Sequence, residues 1–248
     1  MSDYRYLNDR LELNNTYELL LKNLSPVERE SFDVAFRLVS SVNFYCVFSL
    51  SRSPKILSQW RAYASDGSGI ALGLDGETLE REGLRLLQCQ YLDHELYVER
   101  LIRKHAAFFE ELCTARSQYP EIYFGEPSSQ LPVATPKFHP FQDWVRGRQL
   151  EFESLIADLI SEKNPEFVEE QEVRAMRVVS LLDAKTRVVN GVVVPFTTAG
   201  IWNDTLKDYL GYCVREIWLG PKCSELNRLS FFSISMNSAI LRYDCGSI

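Results

Sequence analysis

The 248-residue sequence predicts one α+β domain over residues 1–248, with a split or bent, mostly antiparallel sheet and a helical insert at about 93–163. Tyr45 to Leu50 is apolar and β-prone, as a buried strand should be. Asn190-Gly191 stands between valine runs and favours a two-residue hairpin turn. Asp93 to Arg116 carries apolar residues at helical spacing. The predicted strands lie near 44–50, 70–74, 84–91, 170–181, 187–194, 214–219 and 238–243.

The composition is that of an ordinary globular protein. Hydrophobic residues make up 46% and charged residues 25% of the chain, no apolar run reaches transmembrane length, and the N-terminus has no signal-peptide pattern. The net charge of −7 argues against dedicated binding to nucleic acid or anionic membranes, but it is compatible with a local basic groove. Six cysteines without CxxC spacing predict reduced, mostly buried thiols. We therefore expect a cytoplasmic protein with no membrane partner.

The first part of the chain predicts a strand, two helices and then the central strand of the sheet. Met1 to Asp9 suits a strand that ends at the turn pair Asn8-Asp9. Residues 17–24 and 26–41 have helical patterns, and the second pattern spaces its apolar residues to face a core. On the central strand, Ser49 and Ser51 lie two residues apart, so their hydroxyls should face the same side.

A short helix and a glycine turn connect the central strand to the next strand. Pro54 can open this helix, because the N–H that proline lacks is not needed there. The turn at 66–69 then leads into a strand at 70–74. This arrangement would hold Trp60, Arg61 and Tyr63 beside the end of the serine-bearing strand. The plainer explanation of the segment is a strand–helix–strand core unit with a packed tryptophan.

The middle of the chain predicts two helices, at 93–116 and at about 141–162, joined by a proline-rich loop. A loop of this length is uncommon within a compact domain and is typical of a lid or a mobile excursion. The charged face of the first helix is the kind that usually lies in solvent. His94 and His105 lie nearly on one face of it, but no further ligand accompanies them, so we predict no metal site.

Two carboxylates and an arginine lie close together in the segment from Phe167 to Leu181. If this segment is a strand, Glu170, Glu172 and Arg174 share one face of it. One explanation is a ladder of charges on the surface. The other is a charged cleft wall that binds cationic or hydroxyl groups of a ligand. The rest of the chain predicts a hairpin at 186–195, strands at 214–219 and 238–243, and a helix at 224–232.

Four motifs resemble, in order and spacing, the bacterial family known as domain of unknown function 2971. They are YLND..E at residues 6–12, FS…W..Y…G.G…D at 48–75, K…F..E.E.R at 163–174 and EI.LGP at 216–221. The family usually has a further strand before the first motif, which this chain lacks. The resemblance therefore implies either a shortened variant or a partner chain that supplies this strand.

The family pattern in turn resembles a divergent ADP-ribosyltransferase, an enzyme with a split β core that cleaves NAD. The resemblance implies NAD as a substrate and Glu172 and Glu170 as catalytic residues, since a carboxylate stabilises the positive charge that develops on the ribose. An aromatic ring can stack on nicotinamide, and an arginine can bind the pyrophosphate. The residues implied for NAD binding are Ser49, Trp60, Arg61, Tyr63 and Arg174.

Three function classes stay open. The first is an NAD-dependent mono-ADP-ribosyltransferase-like effector of toxin or phage-defence biology, which would modify a protein or a nucleic acid. The second is a catalytically inactive interaction module on the same fold. The third is a hydrolase or ligand-binding protein that uses the paired carboxylates. A pocket that joins Ser49 to Glu172 would favour the first class, and a pocket filled by side chains would favour the second.

Overall fold

The computed structural model describes residues 1–6, 10–119, 140–198 and 213–224, with the backbone alone at 10–14. The strands in these ranges are β1 (Ser2–Asp3), β2 (Asn43–Ser51), β3 (Ile70–Leu74), β4 (Arg85–Gln88), β5 (Glu172–Ser180), β6 (Lys185–Val189), β7 (Val192–Phe196) and β8 (Val214–Leu219). The α-helices are α1 (Arg10–Asn23), α2 (Pro26–Val42), α3 (Leu57–Tyr63), α4 (Gly76–Arg81), α5 (His94–Lys104), α6 (Ala106–Gln118), α7 (Pro140–Gly147) and α8 (Gln149–Ser161).

The strands form two separate antiparallel sheets. The larger sheet has the order β4-β5-β2-β1-β7-β6, and the smaller one pairs β3 with β8. The predicted α+β class with a split, antiparallel sheet is thereby confirmed. The strand–helix–strand core unit is wrong, because β3 pairs with β8 and not with a strand of the sheet that contains β2.

Six helices lie on one side of the larger sheet and form the main core with it. α1, α2, α5, α6, α7 and α8 all contribute buried side chains, and these pack with Tyr45 of β2 and Met176 of β5. Aromatic rings connect the helices to each other, as where Phe108 meets Phe152 edge-on at 4.9 Å between ring centroids. The helices between residues 94 and 161 thus share one layer with α1 and α2. A smaller cluster, built on Leu79, lies apart from this core.

Several predicted elements begin or end at other residues in the structure. The first strand is limited to Ser2–Asp3, because residues 4–6 form a 3-10 turn. The short helix begins at Leu57 rather than Pro54. The long helix predicted at 93–116 is divided at His105 into α5 and α6, and the one predicted at 141–162 is divided into α7 and α8.

Some predictions lie wholly or largely outside the described residues. They are the helix at 224–232, the strand at 238–243, the thiol of Cys245 and most of the proline-rich loop. The five cysteines that the structure describes are free thiols and four of them are buried, as predicted. Within the described ranges, no helix is long and apolar enough to cross a membrane.

Asp3 is the last residue of β1. Its side chain, instead of a further strand carbonyl, accepts the hydrogen bond from the backbone N–H of Tyr45. Its Oδ2 accepts a hydrogen bond from the Tyr45 N–H at 3.0 Å, and its Oδ1 accepts one from Arg5 Nε at 2.6 Å. Ser2 pairs with β2 on one side and β7 on the other. This chain therefore supplies a two-residue strand beside β2, where the family resemblance implied a missing one. A partner chain that adds a strand here stays a prediction.

Gly220 joins the end of β8 to the glycine turn that precedes β3. Its N–H donates to the Gly69 carbonyl at 2.9 Å, and the Lys222 N–H donates to the Gly67 carbonyl at 2.9 Å. A Cβ added to Gly220 would lie only 2.1 Å from the Gly67 carbonyl oxygen. Because that neighbour is backbone, it cannot swing aside as a flexible side chain would.

We expect Gly220→Ala to destabilise the protein by about 2 kcal/mol, because the two backbones must move apart. Urea unfolding followed by circular dichroism measures this. Gly147→Ala is the matched control, since an added Cβ at the end of α7 meets nothing within 4 Å. It should stay within about 0.5 kcal/mol of the wild type. Equal losses in the two variants would contradict the close approach at Gly220.

Candidate functional site

The predicted polar residues of β2 and β5 do come together. In the antiparallel register, Ser49 lies opposite Arg174 and Ser51 lies opposite Glu172. Val47 lies opposite Met176 further along the same face, and both belong to the main core. The two serines, Glu172 and Arg174 therefore lie on the side of the sheet that faces the helices, as the period-two pattern predicts for each strand.

The Glu172 carboxylate is enclosed by two cations. Arg174 Nε lies 2.8 Å from Oε1, and Lys163 Nζ lies 3.1 Å from Oε2. The Ser49 side chain on the neighbouring strand is close enough to contribute to lowering the pKa of Glu172. Glu172 is 7% exposed and Arg174 is 4% exposed. The explanation as a surface ladder is therefore wrong for these two residues. We call Ser49, Lys163, Glu172 and Arg174 the Glu172 cluster.

The electrostatics of the cluster keep Glu172 ionised. Burial by itself would raise the pKa of Glu172, because a buried carboxylate loses its hydration. The hydrogen bond and charge of Arg174, the Ser49 hydroxyl and the charge of Lys163 act in the opposite direction and together lower the pKa below its ordinary value of 4.5. Glu172 is thus an anion whose negative charge is balanced by Arg174 and Lys163.

Lys163 reaches the cluster because the chain after α8 runs beside the end of β4. Gln90 and Glu162 form a parallel bridge, in which the Lys163 N–H donates to the Gln90 carbonyl at 3.1 Å. Lys163 is buried, and its Nζ also lies 3.4 Å from Glu170 Oε2. The Lys163 ammonium therefore contacts both predicted catalytic carboxylates, Glu170 and Glu172.

Arg174 also closes the C-terminal end of α8. Its Nη1 donates to the carbonyl oxygens of Ile160 and, at 3.3 Å, of Glu162. The last carbonyls of a helix have no partner within the helix, and a cation there is favoured by the helix dipole. Nε and Nη2 of Arg174 are directed at Glu172. The Arg174 guanidinium thus bonds within the protein, whereas the family resemblance implied Arg61 or Arg174 as the residue that binds the NAD pyrophosphate.

Glu170 lies beside the strand and not on it, so its predicted place on a shared strand face is wrong. Residues 165–170 form a 3-10 helix, and Gln171 has a left-handed backbone with φ of 47°, so β5 begins only at Glu172. The Ser51 hydroxyl donates to the Glu170 carbonyl oxygen at 2.9 Å. The Glu170 side chain is 20% exposed, which makes it the more accessible of the two carboxylates.

Trp60, Arg61 and Tyr63 form a separate group on α3. Trp60 is buried and its Nε1 donates to the Pro54 carbonyl at 2.5 Å, which holds the loop before the helix. Arg61 is exposed, and Tyr63 is 79% exposed. Within the described ranges, no hydrogen bond, ion pair or ring contact joins these three residues to the Glu172 cluster. The structure thus divides the predicted site into two parts.

A second group of buried charges involves the two histidines. His94 Nδ1 lies 2.7 Å from Oε1 of Glu162, whose Oε2 accepts a hydrogen bond from Thr16 at 2.9 Å. Burial raises the pKa of Glu162, and Thr16 and His94 offset this only in part. His105 Nε2 lies 2.6 Å from Oδ2 of Asp158. Each histidine thus pairs with a different carboxylate, which spacing along one helix could not indicate.

An open cleft lies at the other end of β5, away from the Glu172 cluster. Its volume is about 870 Å³, and it is bounded by the last turn of α2, the starts of β2 and β4, the second half of β5 and the helices α7 and α8. No residue of the Glu172 cluster lines it. No local sequence pattern predicts this cleft, because its walls come from segments far apart in the chain.

Comparison with known proteins gives a match for the middle of the chain. The model of a family described as "Protein of unknown function (DUF2971)" matches residues 59–175, a little under half of the chain. No curated protein and no solved structure matches the chain. The resemblance to this family is thereby confirmed over a range that contains Trp60, Lys163, Glu172 and Arg174. The motifs at 6–12 and 216–221 lie outside that range.

Proposed function

Since the family that matches residues 59–175 is described only as a protein of unknown function, we propose a function from the geometry: the chain is a catalytically inactive binding module. The observation that carries the proposal is the enclosure of Glu172. Both of its oxygens contact protein cations, at 2.8 Å from Arg174 and 3.1 Å from Lys163. In this proposal the Glu172 cluster stabilises the fold, because Arg174 of β5 hydrogen-bonds to the carbonyls at the end of α8 while it pairs with Glu172.

Charge balance is the physical reason. NAD cleavage develops positive charge on the ribose, and a carboxylate accelerates the reaction only if its negative charge is directed at that position. The charge of Glu172 is already shared between two buried cations. A substrate would have to displace Lys163 from the carboxylate and leave a buried ammonium with Glu170 as its partner. That cost favours a structural role over a catalytic one.

One observation favours the transferase hypothesis as a second candidate. Ser49 is exposed and lies on the strand next to Glu172, where it contributes to lowering the pKa of that carboxyl, so the two residues that resemble the transferase signature are neighbours. In that hypothesis, Glu172 stabilises the developing cation, Glu170 influences the choice of acceptor, NAD is the substrate and a protein or nucleic acid accepts the ADP-ribose.

NAD turnover distinguishes the two candidates. Glu169 is an exposed residue of the 3-10 helix before β5 and serves as the control. Purified wild type, Glu172→Gln and Glu169→Gln are incubated with labelled NAD, with and without cell lysate, and both nicotinamide release and label transfer are measured. We expect all three proteins to give the background of the buffer. A different result would contradict the inactive module and establish the transferase: the wild type and Glu169→Gln turn NAD over, and folded Glu172→Gln does not. Circular dichroism at the assay temperature confirms that each variant is folded.

A further inference from the structure

The outer strand of the larger sheet has one side without a pairing strand. β6 is the last strand in the order β4-β5-β2-β1-β7-β6, and it pairs with β7 in a regular register. In the part of the chain that the structure describes, no strand pairs with the other side of β6, and every residue of β6 is exposed. β6 contains neither a proline nor a bulge, the features that commonly block an edge strand. Its outward N–H and C=O groups are therefore available to a further strand.

The hairpin of β6 and β7 is positively charged. It contains two cations, Lys185 and Arg187, and no carboxylate, although the whole chain has a net charge of −7. Lys185 is exposed, and among the described residues no carboxylate pairs with it, including Asp183 of the preceding turn. Arg187 donates to the Ser2 hydroxyl at 2.8 Å and lies over the Phe196 ring, and both of these partners are uncharged. Exposed charges more than about 10 Å apart are screened at physiological salt, so the two cations outweigh the net charge of the chain at this edge.

The two faces of the hairpin differ in chemistry. Lys185 and Arg187 share one face, because side chains alternate along a strand. Val188 lies on the other face, directly opposite Val193 of β7, and these two valines are 71% and 57% exposed. A strand added beside β6 would therefore have cations as neighbours on one face and apolar side chains as neighbours on the other.

A second copy of the chain is a poor partner for this edge. Two β6 strands related by a two-fold axis in the plane of pairing would run antiparallel. With the axis at Arg187, this arginine faces the same arginine of the second copy. With the axis at Thr186, Lys185 faces the arginine of the second copy. Like charges directly opposite each other destabilise a pair of strands, whereas acidic side chains at these positions stabilise it.

We infer that β6 binds an extended peptide in which acidic residues alternate with β-branched apolar residues. Main-chain hydrogen bonds supply the affinity and the alternating side chains supply the specificity, as is general where a peptide joins a sheet edge. The acidic side chains lie beside Lys185 and Arg187, and the apolar ones lie beside Val188. The inference goes beyond the proposed function by naming a partner, and it involves no residue of the Glu172 cluster. NAD turnover by the chain would thus contradict the inactive module and leave the peptide site unaffected.

The test uses the fluorescein-labelled peptide Glu-Val-Glu-Val-Glu-Val-Glu as the probe, in anisotropy titrations of the whole chain. The probe should bind saturably, and amide hydrogen exchange in residues 185–189 should slow when it is bound. The same peptide methylated on its backbone nitrogens should bind about tenfold more weakly, because it keeps its charges and side chains but has no N–H to pair. Lys185→Glu should also weaken binding about tenfold, because an attraction becomes a repulsion.

Lys22→Glu is the matched control, because it makes the same change in net charge at an exposed lysine of α1. It should bind the probe as the wild type does. Absence of saturable binding at millimolar concentration would overturn the inference. So would equal weakening in Lys185→Glu and Lys22→Glu, or equally tight binding of the methylated peptide or of single-stranded DNA, since each of these results means attraction by charge alone. Thermal melting of each variant without peptide confirms that a loss of binding is not a loss of fold.

Discussion

Glu172→Gln should destabilise the protein by about 3 kcal/mol at neutral pH, because it leaves two buried cations without their shared anion. Lys163 and Arg174 are both buried, so water cannot replace the lost charge. Glutamine has nearly the same shape as glutamate, and packing is therefore retained. Urea unfolding followed by circular dichroism measures the loss. Glu170→Gln is the control, and we expect a loss below about 1 kcal/mol because its partly exposed pair with Lys163 is weaker.

The effect of Glu172→Gln should depend on pH in a defined direction. The pKa of Glu172 is lowered in the folded protein, so its stabilising contribution is present above its unfolded value of 4.5 and is lost as the pH falls through the folded value. The gap between wild type and variant should therefore shrink below pH 4.5. Glu162, whose pKa is raised mainly by burial, is present in both proteins, so the difference between them is the quantity to follow. A gap that persists unchanged in acid would contradict the charge-based explanation.

Arg174→Met should also cost about 3–5 kcal/mol, because it removes one cation from Glu172 and the donor that closes α8. The carbonyls of Ile160 and Glu162 lose a partner in this variant. The surface control is Arg103→Met, which should stay within about 0.5 kcal/mol of the wild type. The measurement is again urea unfolding at neutral pH.

A double-mutant cycle separates the interaction energy between Glu172 and Arg174 from the stability lost in each single variant. The double variant Glu172→Gln with Arg174→Met should lose less stability than the sum of the single losses, by about 1–3 kcal/mol. The reason is that each single change leaves a buried polar group without its partner, and that penalty is counted twice in the sum. Strict additivity would mean that the two side chains stabilise the fold independently, contrary to the 2.8 Å contact between them.

Local sequence signals predicted the elements that depend on neighbouring residues. Asn190 and Gly191 have positive φ, at 51° and 78°, as the hairpin turn requires. α2 begins with a capping box between Ser25 and Glu28, at the boundary that the helical pattern predicts. The buried strand β2 likewise follows from its apolar run. In each case the determining contacts are within a few residues.

Long-range contacts explain what the sequence could not predict. The period-two pattern placed Glu172 and Arg174 on one face but failed for Glu170, because the single left-handed residue Gln171 shifts the start of β5. The position of Lys163 next to Glu172 depends on the bridge between Gln90 and Glu162. The cleft is formed where residues 38–43, 83–85, 142–153 and 176–180 come together, and no local pattern encodes that.

The pairing of β3 with β8 has a consequence for synthesis of the chain. Ile70 pairs with Leu219, so a ribosome completes β3 long before its partner exists. Until then an apolar segment has unpaired backbone groups, which is the state that favours aggregation. Closing so long a loop also slows folding, because its entropy is lost before the pairing compensates for it. β8 is the last of the described strands to be synthesised, so the smaller sheet is the later of the two sheets to have all its described strands available for pairing.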